Sequence, residues 1–253
     1  MKLAVCQMPD VQGDVARTTD LMHAFTADAT RQGAGLVCFP EAFLQGYDLD
    51  PSHVARTAME VHSSAFNHVL TQLTALDPVI VFGWLERDGD RCYNAAVAIE
   101  HGQILARYRK AHLLPAEQSV FAAGHECPVF DVHGIRVAIL ICHDLTDATT
   151  VRQAAVAGTE VLLCPCSNLL PRPQAEAWKH RHLDIRRQRA RDHGLWIASA
   201  EITGEVGDRV AYGPTALIDP YGHVVAQVPL MQVGTVMAPV SRHQRVSAME
   251  STP

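Results

Sequence analysis

The sequence predicts an α/β protein in which mixed β-sheets are covered by helices. Three observations carry this. Several apolar runs of strand length are separated only by turn signals, Arg87-Asp88-Gly89-Asp90, Glu100-His101-Gly102-Gln103 and His133-Gly134, which read as antiparallel hairpins. Other apolar runs are separated by helix-length segments, as where residues 135–141 and 160–165 flank an alanine-rich stretch, which reads as a right-handed parallel crossover. The number of strand segments points to two sheets rather than one. No repeat, low-complexity stretch or linker interrupts the 253 residues, so residues 1–253 are read as a single domain.

Each element follows from local signals. Residues 3–8 form a first strand. Asp14 or Thr18 caps a helix that runs to about residue 31 and ends at Gly33. Residues 36–39 are a short buried strand, followed directly by Pro40 and then Glu41. A helix is expected between about residues 53 and 76, with Val54, Ala58, Val61, Ala65, Val69 and Leu73 close to one face. Strands at 79–85 and 92–99 are joined by the first hairpin, and a strand at 104–109 leads into Lys110. Beyond a loop containing Glu117 and Gly124, strands at 129–132 and 135–141 flank the third hairpin. The run Val137-Ala138-Ile139-Leu140-Ile141 shows no polar alternation, so it should be buried on both faces. It stops abruptly at Cys142, His143 and Asp144. A cap-rich start at Thr146-Asp147, an alanine-rich body and a terminating Gly158 then predict a helix, which places a thiol near a helix N-terminus. Residues 160–165 form the next strand, and Pro171 and Pro173 precede a helix from about residue 174 to 192, stopped by Gly194. Strands at 195–200, 215–218, 223–228 and 233–240 complete the chain, with Asp219-Pro220-Tyr221-Gly222 as a turn. The tail beyond Ser241 is expected to be loosely held.

Bulk properties narrow the function. A composition of 48% hydrophobic and 19% charged residues suits a well-buried soluble core. The formal net charge of −6 argues against nucleic-acid or anionic-membrane partners. The N-terminus runs straight into a strand without a secretory h-region, and no stretch reaches the length of a membrane span. Seven cysteines, an odd number placed mostly in apolar runs, fit free thiols in a reducing cytoplasm. Cys164 and Cys166 have no second pair at ligand spacing, so neither a metal nor another cofactor is expected. His180 and His182 lie in a basic segment that reads as a solvated or dimer-facing helix face.

Glu41, Lys110 and Cys142 each stand where a hydrophobic strand gives way to polar chain. Taken one at a time they are equivocal: a solvated loop glutamate, a surface lysine and a small buried hydrophobe are the plain alternatives. Together they make a usable chemical set. The carboxylate can take the thiol proton and return it to a leaving amine. The ammonium can favour the thiolate and stabilise an oxyanion, and the thiol can carry an acyl group.

Phe39-Pro40-Glu41, Tyr108-Arg109-Lys110-Ala111-His112-Leu113 and Ile141-Cys142-His143-Asp144, in this order, resemble the three signature blocks of the nitrilase superfamily of carbon–nitrogen hydrolases. The segments 117–124, 189–193 and 212–222 resemble further family blocks, so the likeness extends from Leu3 to about Val240. The resemblance implies a four-layer αββα sandwich of two mixed sheets flanked by helices, commonly paired through its outer helices into a homodimer or a multiple of dimers. It implies Glu41 as general base, Lys110 as oxyanion-stabilising cation and Cys142 as nucleophile. Glu117 would be a supporting glutamate, the backbone N–H of His143 a second oxyanion donor, and Tyr47 and His112 pocket residues. The chain departs from the family where His143 replaces a tyrosine and where Pro165-Cys166-Ser167-Asn168 replaces Pro-Ser-Ala-Trp, so that Asn168 offers the pocket a polar amide in place of an indole. The expected reaction is hydrolysis of a small linear amide to carboxylic acid and ammonia through a thioester. N-carbamoyl or nitrile hydrolysis are the chemical alternatives, and a non-catalytic scaffold is disfavoured because all three reactive side chains are present.

Overall fold

A computed structural model describes residues 1–242. The first half of the chain lays down one sheet. β1 (Lys2–Pro9) runs into α1 (Val15–Arg31), where the Asp14 carboxylate accepts from the backbone N–H of Arg17 and caps the helix. The chain returns through β2 (Leu36–Cys38), passes α2 (Pro51–Thr57) and α3 (Ser64–Leu73), and forms the meander β3 (Val79–Asp88), β4 (Arg91–Glu100) and β5 (Gln103–Arg109). The second sheet begins with β6 (Val129–Val132) and β7 (Ile135–Ile139), then α4 (Ala148–Val156) and β8 (Val161–Pro165). β9 (Leu170–Pro171), α5 (Arg172–Trp178) and α6 (Arg181–His193) precede β10 (Trp196–Ala200). A hairpin of β11 (Ile202–Val206) and β12 (Arg209–Ala211) crosses back to the first sheet. β13 (Ala216–Ile218) and β14 (Val224–Gln227) close the second, and β15 (Gly234–Pro239) pairs antiparallel with β1.

The strand orders are β5-β4-β3-β2-β1-β11-β12-β9, with β15 also on β1, and β14-β13-β10-β8-β7-β6. Both sheets are mixed: β1, β2 and β3 are parallel neighbours, as are β7, β8 and β10, while the hairpins are antiparallel. Strand alternation explains the layering. Leu3, Val5, Leu36, Cys38, Val79 and Val81 turn inward to meet the second sheet. Their neighbours Ala4, Cys6, Val37, Ile80 and Phe82 turn outward onto Met22 of α1 and Phe66 and Val69 of α3. Phe66 stacks on Trp84 with ring centroids 4.1 Å apart. On the far side, α6 packs on β10 and β13 and against α4. The order is helix, sheet, sheet, helix, as the resemblance implies.

Two expectations are corrected and three strands are added. The single helix foreseen between residues 53 and 76 is two, α2 and α3. Ala58 turns extended, and Met59 bridges Glu86 on the flank of β3 that β2, ending at Cys38, leaves uncovered; Ser63 then caps a new helix. Pairing to an open strand edge outweighs helical periodicity there. The helix foreseen at 174–192 is also two, because α5 packs on β12 of the first sheet while α6 packs on the second, which one straight rod cannot do. The strands β9, β11 and β12 are additions: they are short, and the hairpin strand Ile202-Thr203-Gly204-Glu205-Val206 mixes polar residues and glycine into its run. From residue 243 onward, the tail lies outside the described residues.

Candidate active site

Glu41 follows β2 through Phe39 and Pro40, with Phe39 N–H still donating to Val81 O. The chain turns sharply here, and Ala42 sits at φ +48°. The turn lies flat on Gly83 of β3, where an added Cβ would come within 2.2 Å of Ala42 N and 2.6 Å of the Glu41 backbone, so only glycine allows the approach. The Glu41 side chain is 1% exposed. Its Oε1 accepts from Lys110 Nζ (2.8 Å) and Asn94 Nδ2 (2.7 Å), and its Oε2 from the backbone N–H of Ser167 (2.9 Å). Burial pushes its carboxyl above the ordinary glutamate value, opposed by the Lys110 ammonium.

Lys110 extends β5, with its N–H on Asn94 O and its carbonyl accepting from Gly124 N–H. Its Nζ lies 2.8 Å from Glu41 Oε1 and 2.8 Å from Glu117 Oε1. Burial alone would lower the ammonium, but Glu41, the Cys142 sulfur and Glu117 outweigh it and hold Lys110 well above its usual value. Glu117, fully buried in a 3-10 turn (Glu117–Ser119), also accepts from Tyr47 Oη (3.0 Å), Asn94 Nδ2 (3.2 Å) and the N–H of Leu114 (2.7 Å). One ammonium and one amide thus bridge two carboxylates.

Cys142 opens a 3-10 turn (Cys142–Thr146) just past β7, at φ +45°, a conformation that an L-residue adopts only at a cost of order 1–3 kcal/mol. The Asp144 carboxylate fastens the turn. It accepts from Ile141 N–H (2.9 Å) and Tyr108 Oη (2.8 Å) on one oxygen and from His112 N–H (2.7 Å) on the other, tying the cysteine turn to the strand that carries Lys110. The Glu41 N–H donates to Cys166 O (3.3 Å), joining the first sheet to the end of β8. The half-buried Cys142 Sγ faces Asn168 Oδ1 at 3.7 Å. The sequence places this thiol near a helix N-terminus; the structure differs. α4 begins only at Ala148, capped by Asp147, and a hydrogen bond with Cys166, burial and the Glu41 charge push the Cys142 thiol well above its usual value, with Lys110 opposing.

An open cleft leads to the thiol, lined by Leu114, Leu145 and Leu170, by Trp178 of α5 and Ile185 and Arg186 of α6, and by His143, Asn168 and His182. Burial lowers both histidines, His182 to about 3, so at neutral pH neither brings charge. The other predicted pocket residues stand elsewhere: Tyr47 Oη donates to Glu117, and the His112 ring contacts Thr150 Oγ1 (2.5 Å) and Asp147 (3.3 Å) beside α4. Sequence reasoning missed Asn94, Asp144, Arg186 and Glu201. Asn94 is a lone amide in an otherwise apolar stretch of β4, and Glu201 ends a hydrophobic strand as Glu41 does, so both carried a readable signal. Among the described residues no group of three or more His, Cys, Asp or Glu is placed to hold a metal ion, and no helix is long and apolar enough to cross a membrane.

A two-sheet sandwich thus brings a glutamate, a lysine and a cysteine to adjoining strand ends. The carbon-nitrogen hydrolase family model matches residues 2–248, and the chain belongs to that family. It is similar to an (R)-stereoselective amidase of Pseudomonas sp., 29% identical over 89% of this chain and 80% of that one. It is also similar to a 2-oxoglutaramate amidase of Bacillus subtilis, 28% identical over 90% and 86%. A solved structure of an amidase variant from Nesterenkonia sp. AN1, with acrylamide added at its active-site cysteine, shares the fold at a TM-score of 0.83 and 24% identity, covering 95% of this chain and 93% of that one.

Proposed function

We propose that this carbon–nitrogen hydrolase converts small, uncharged linear amides and water to carboxylic acid and ammonia, through a thioester on Cys142. The observation that supports it most is the Lys110 ammonium, buried at 2.8 Å from both Glu41 and Glu117 beside a cysteine on a strained turn. Glu41, raised by burial, is the general base. The thiol rests protonated, so its proton passes to Glu41 as sulfur attacks the carbonyl carbon. Lys110 and the His143 N–H, which lies in the first turn where a helix leaves its donors unsatisfied, stabilise the oxyanion. Glu41 then protonates the departing nitrogen, ammonia leaves, and water, deprotonated by Glu41, cleaves the thioester to release the acid and the thiol. Glu117 holds the ammonium in place and Tyr47 holds Glu117. The leucine-, tryptophan- and isoleucine-lined cleft, with neutral histidines and with the lining Arg186 held against Glu201, favours an acyl group without charge.

The test is ammonia release from a panel of short amides, N-carbamoyl compounds and nitriles by the parent and by Cys142→Ala. The parent is expected to turn over amides, and mass spectrometry of the quenched reaction to find an acyl adduct on the Cys142 peptide. The variant should release no ammonia while unfolding within about 1 kcal/mol of the parent, since the thiol is only half-buried. An active variant on an amide the parent accepts would end the thioester reading.

A further inference from the structure

Glu201 is a further fully buried carboxylate close to the reaction centre, and the mechanism above gives it no part. It follows β10 directly, as Glu41 follows β2. Four donors converge on it. Its Oε1 accepts from the backbone N–H groups of Asn168 (2.9 Å) and Ile202 (3.2 Å), and its Oε2 from Asn168 Nδ2 (2.5 Å) and Arg186 Nη2 (3.4 Å). Arg186 is itself buried and further held by Ser199 Oγ and Pro214 O.

This arrangement fixes which way the Asn168 amide points. While Glu201 is ionised, every approach to its carboxylate is taken by a donor, so the face turned to it is the NH₂ end of Asn168 and the carbonyl oxygen is the end that faces Cys142. In the resting site Oδ1 accepts from the thiol. Once that proton has passed to Glu41, Oδ1 is an acceptor that has lost its donor, 3.7 Å from the sulfur that now holds the acyl carbon. The nitrogen of the scissile amide must turn to Glu41 to collect its proton. The group that meets Asn168 therefore lies on the acyl side, where Asn168 and Leu170 line the cleft.

We propose that Glu201, acting through Asn168, makes the site select amides that carry a hydroxyl or another neutral hydrogen-bond donor on the carbon next to the carboxamide. Glu201 is a positioning residue and Asn168 the specificity-determining contact; the inference rests on the amide-hydrolase reading above. A site built to pair a substrate hydroxyl discriminates strongly against the analogue that lacks it, because the acceptor is then left empty.

The experiment compares kcat/KM for ammonia release from 2-hydroxypropanamide and from 2-methylpropanamide, which differ by a hydroxyl for a methyl at nearly equal volume. The parent is expected to favour the hydroxy amide by about tenfold or more. Asn168→Leu should bring that ratio to one or below. Glu201→Gln, whose amide can donate as well as accept and so releases the orientation of Asn168, should lower the ratio severalfold. A merely structural role for Glu201 would slow both substrates equally and leave the ratio alone; Asn168→Leu, at a half-buried cleft position, reads out the contact even if Glu201→Gln does not fold. A parent that hydrolyses both amides equally, or a ratio that survives both substitutions, overturns the inference. If the parent hydrolyses other amides but neither of these, the donor selectivity falls while the amidase reading stands; if no amide yields ammonia, both fall.

Discussion

Replacing Lys110 by methionine keeps most of the side-chain volume and removes the cation between Glu41 and Glu117. Both carboxylates are buried, at 1% and 0% exposure, and the ammonium touches each at 2.8 Å. Breaking a buried ion pair by deleting one partner costs about 3–5 kcal/mol, because the remaining charge is left uncompensated. For a chain of this size that corresponds to a fall in Tm of roughly 6–20 °C. The loss is pH-dependent with a defined sign. Glu41 is already raised by burial, and without Lys110 it rises further. A carboxyl whose folded pKa lies above its unfolded one costs nothing below the unfolded value and its full penalty above the folded value. The variant should therefore be close to the parent near pH 4–5 and fall progressively behind as pH rises through the raised Glu41 value. Urea denaturation of both proteins at pH 5 and pH 8 measures this. A deficit equal at the two pH values, or below about 1 kcal/mol at pH 8, would refute the reasoning that Lys110 neutralises the buried carboxylates.

Further outcomes are expected of the same site. Gly83→Ala forces its methyl group against the Glu41–Ala42 backbone, where the gap is 2.2 Å; with Glu41 as the proposed base, a shift of about 1 Å in it should lower kcat about a hundredfold, and a kcat within about twofold of the parent would contradict the placement. Because the Cys142 thiol is pushed up, its labelling by iodoacetamide in the free enzyme should climb about tenfold per pH unit from 7 to 9, and a plateau reached below pH 7 would show a preformed thiolate instead. Burial raises the Glu201 carboxyl to about 7, against the Arg186 charge, so ionising it costs stability as pH rises toward and through that value. Glu201→Gln should accordingly gain about 2–3 kcal/mol relative to the parent between pH 5 and pH 8 in denaturant titrations; a constant difference would show that Glu201 titrates normally.

The three reactive positions were legible because each breaks a local rule: an ionisable or nucleophilic group directly after an apolar strand needs a reason to be there. The mixed sheets were legible from the mixture of hairpins and crossovers and their pairing from the strand count, with the family resemblance supplying the four-layer order. What escaped the sequence depends on contacts between distant segments. Met59 leaves its helix because β3 offers an unpaired flank, which no helical periodicity encodes. The thiol's protonation depends on Cys166 and Glu41, residues from two different sheets, whereas the neighbouring sequence suggested only a helix end. Asp144 reads as an ordinary turn residue, yet it fastens three segments. Glu201 obeys the same strand-end rule as Glu41; the rule was sound and needed wider application.

The candidate site straddles the seam between the sheets: Glu41 and Lys110 come from one, Cys142 and Asn168 from the other, with Asp144 and the Glu41–Cys166 link riveting them. The cleft's far wall hangs instead on α5 and α6. Descendants of such a scaffold can retool their diet by editing one bent helical arm while the engine that breaks the bond stays bolted in place.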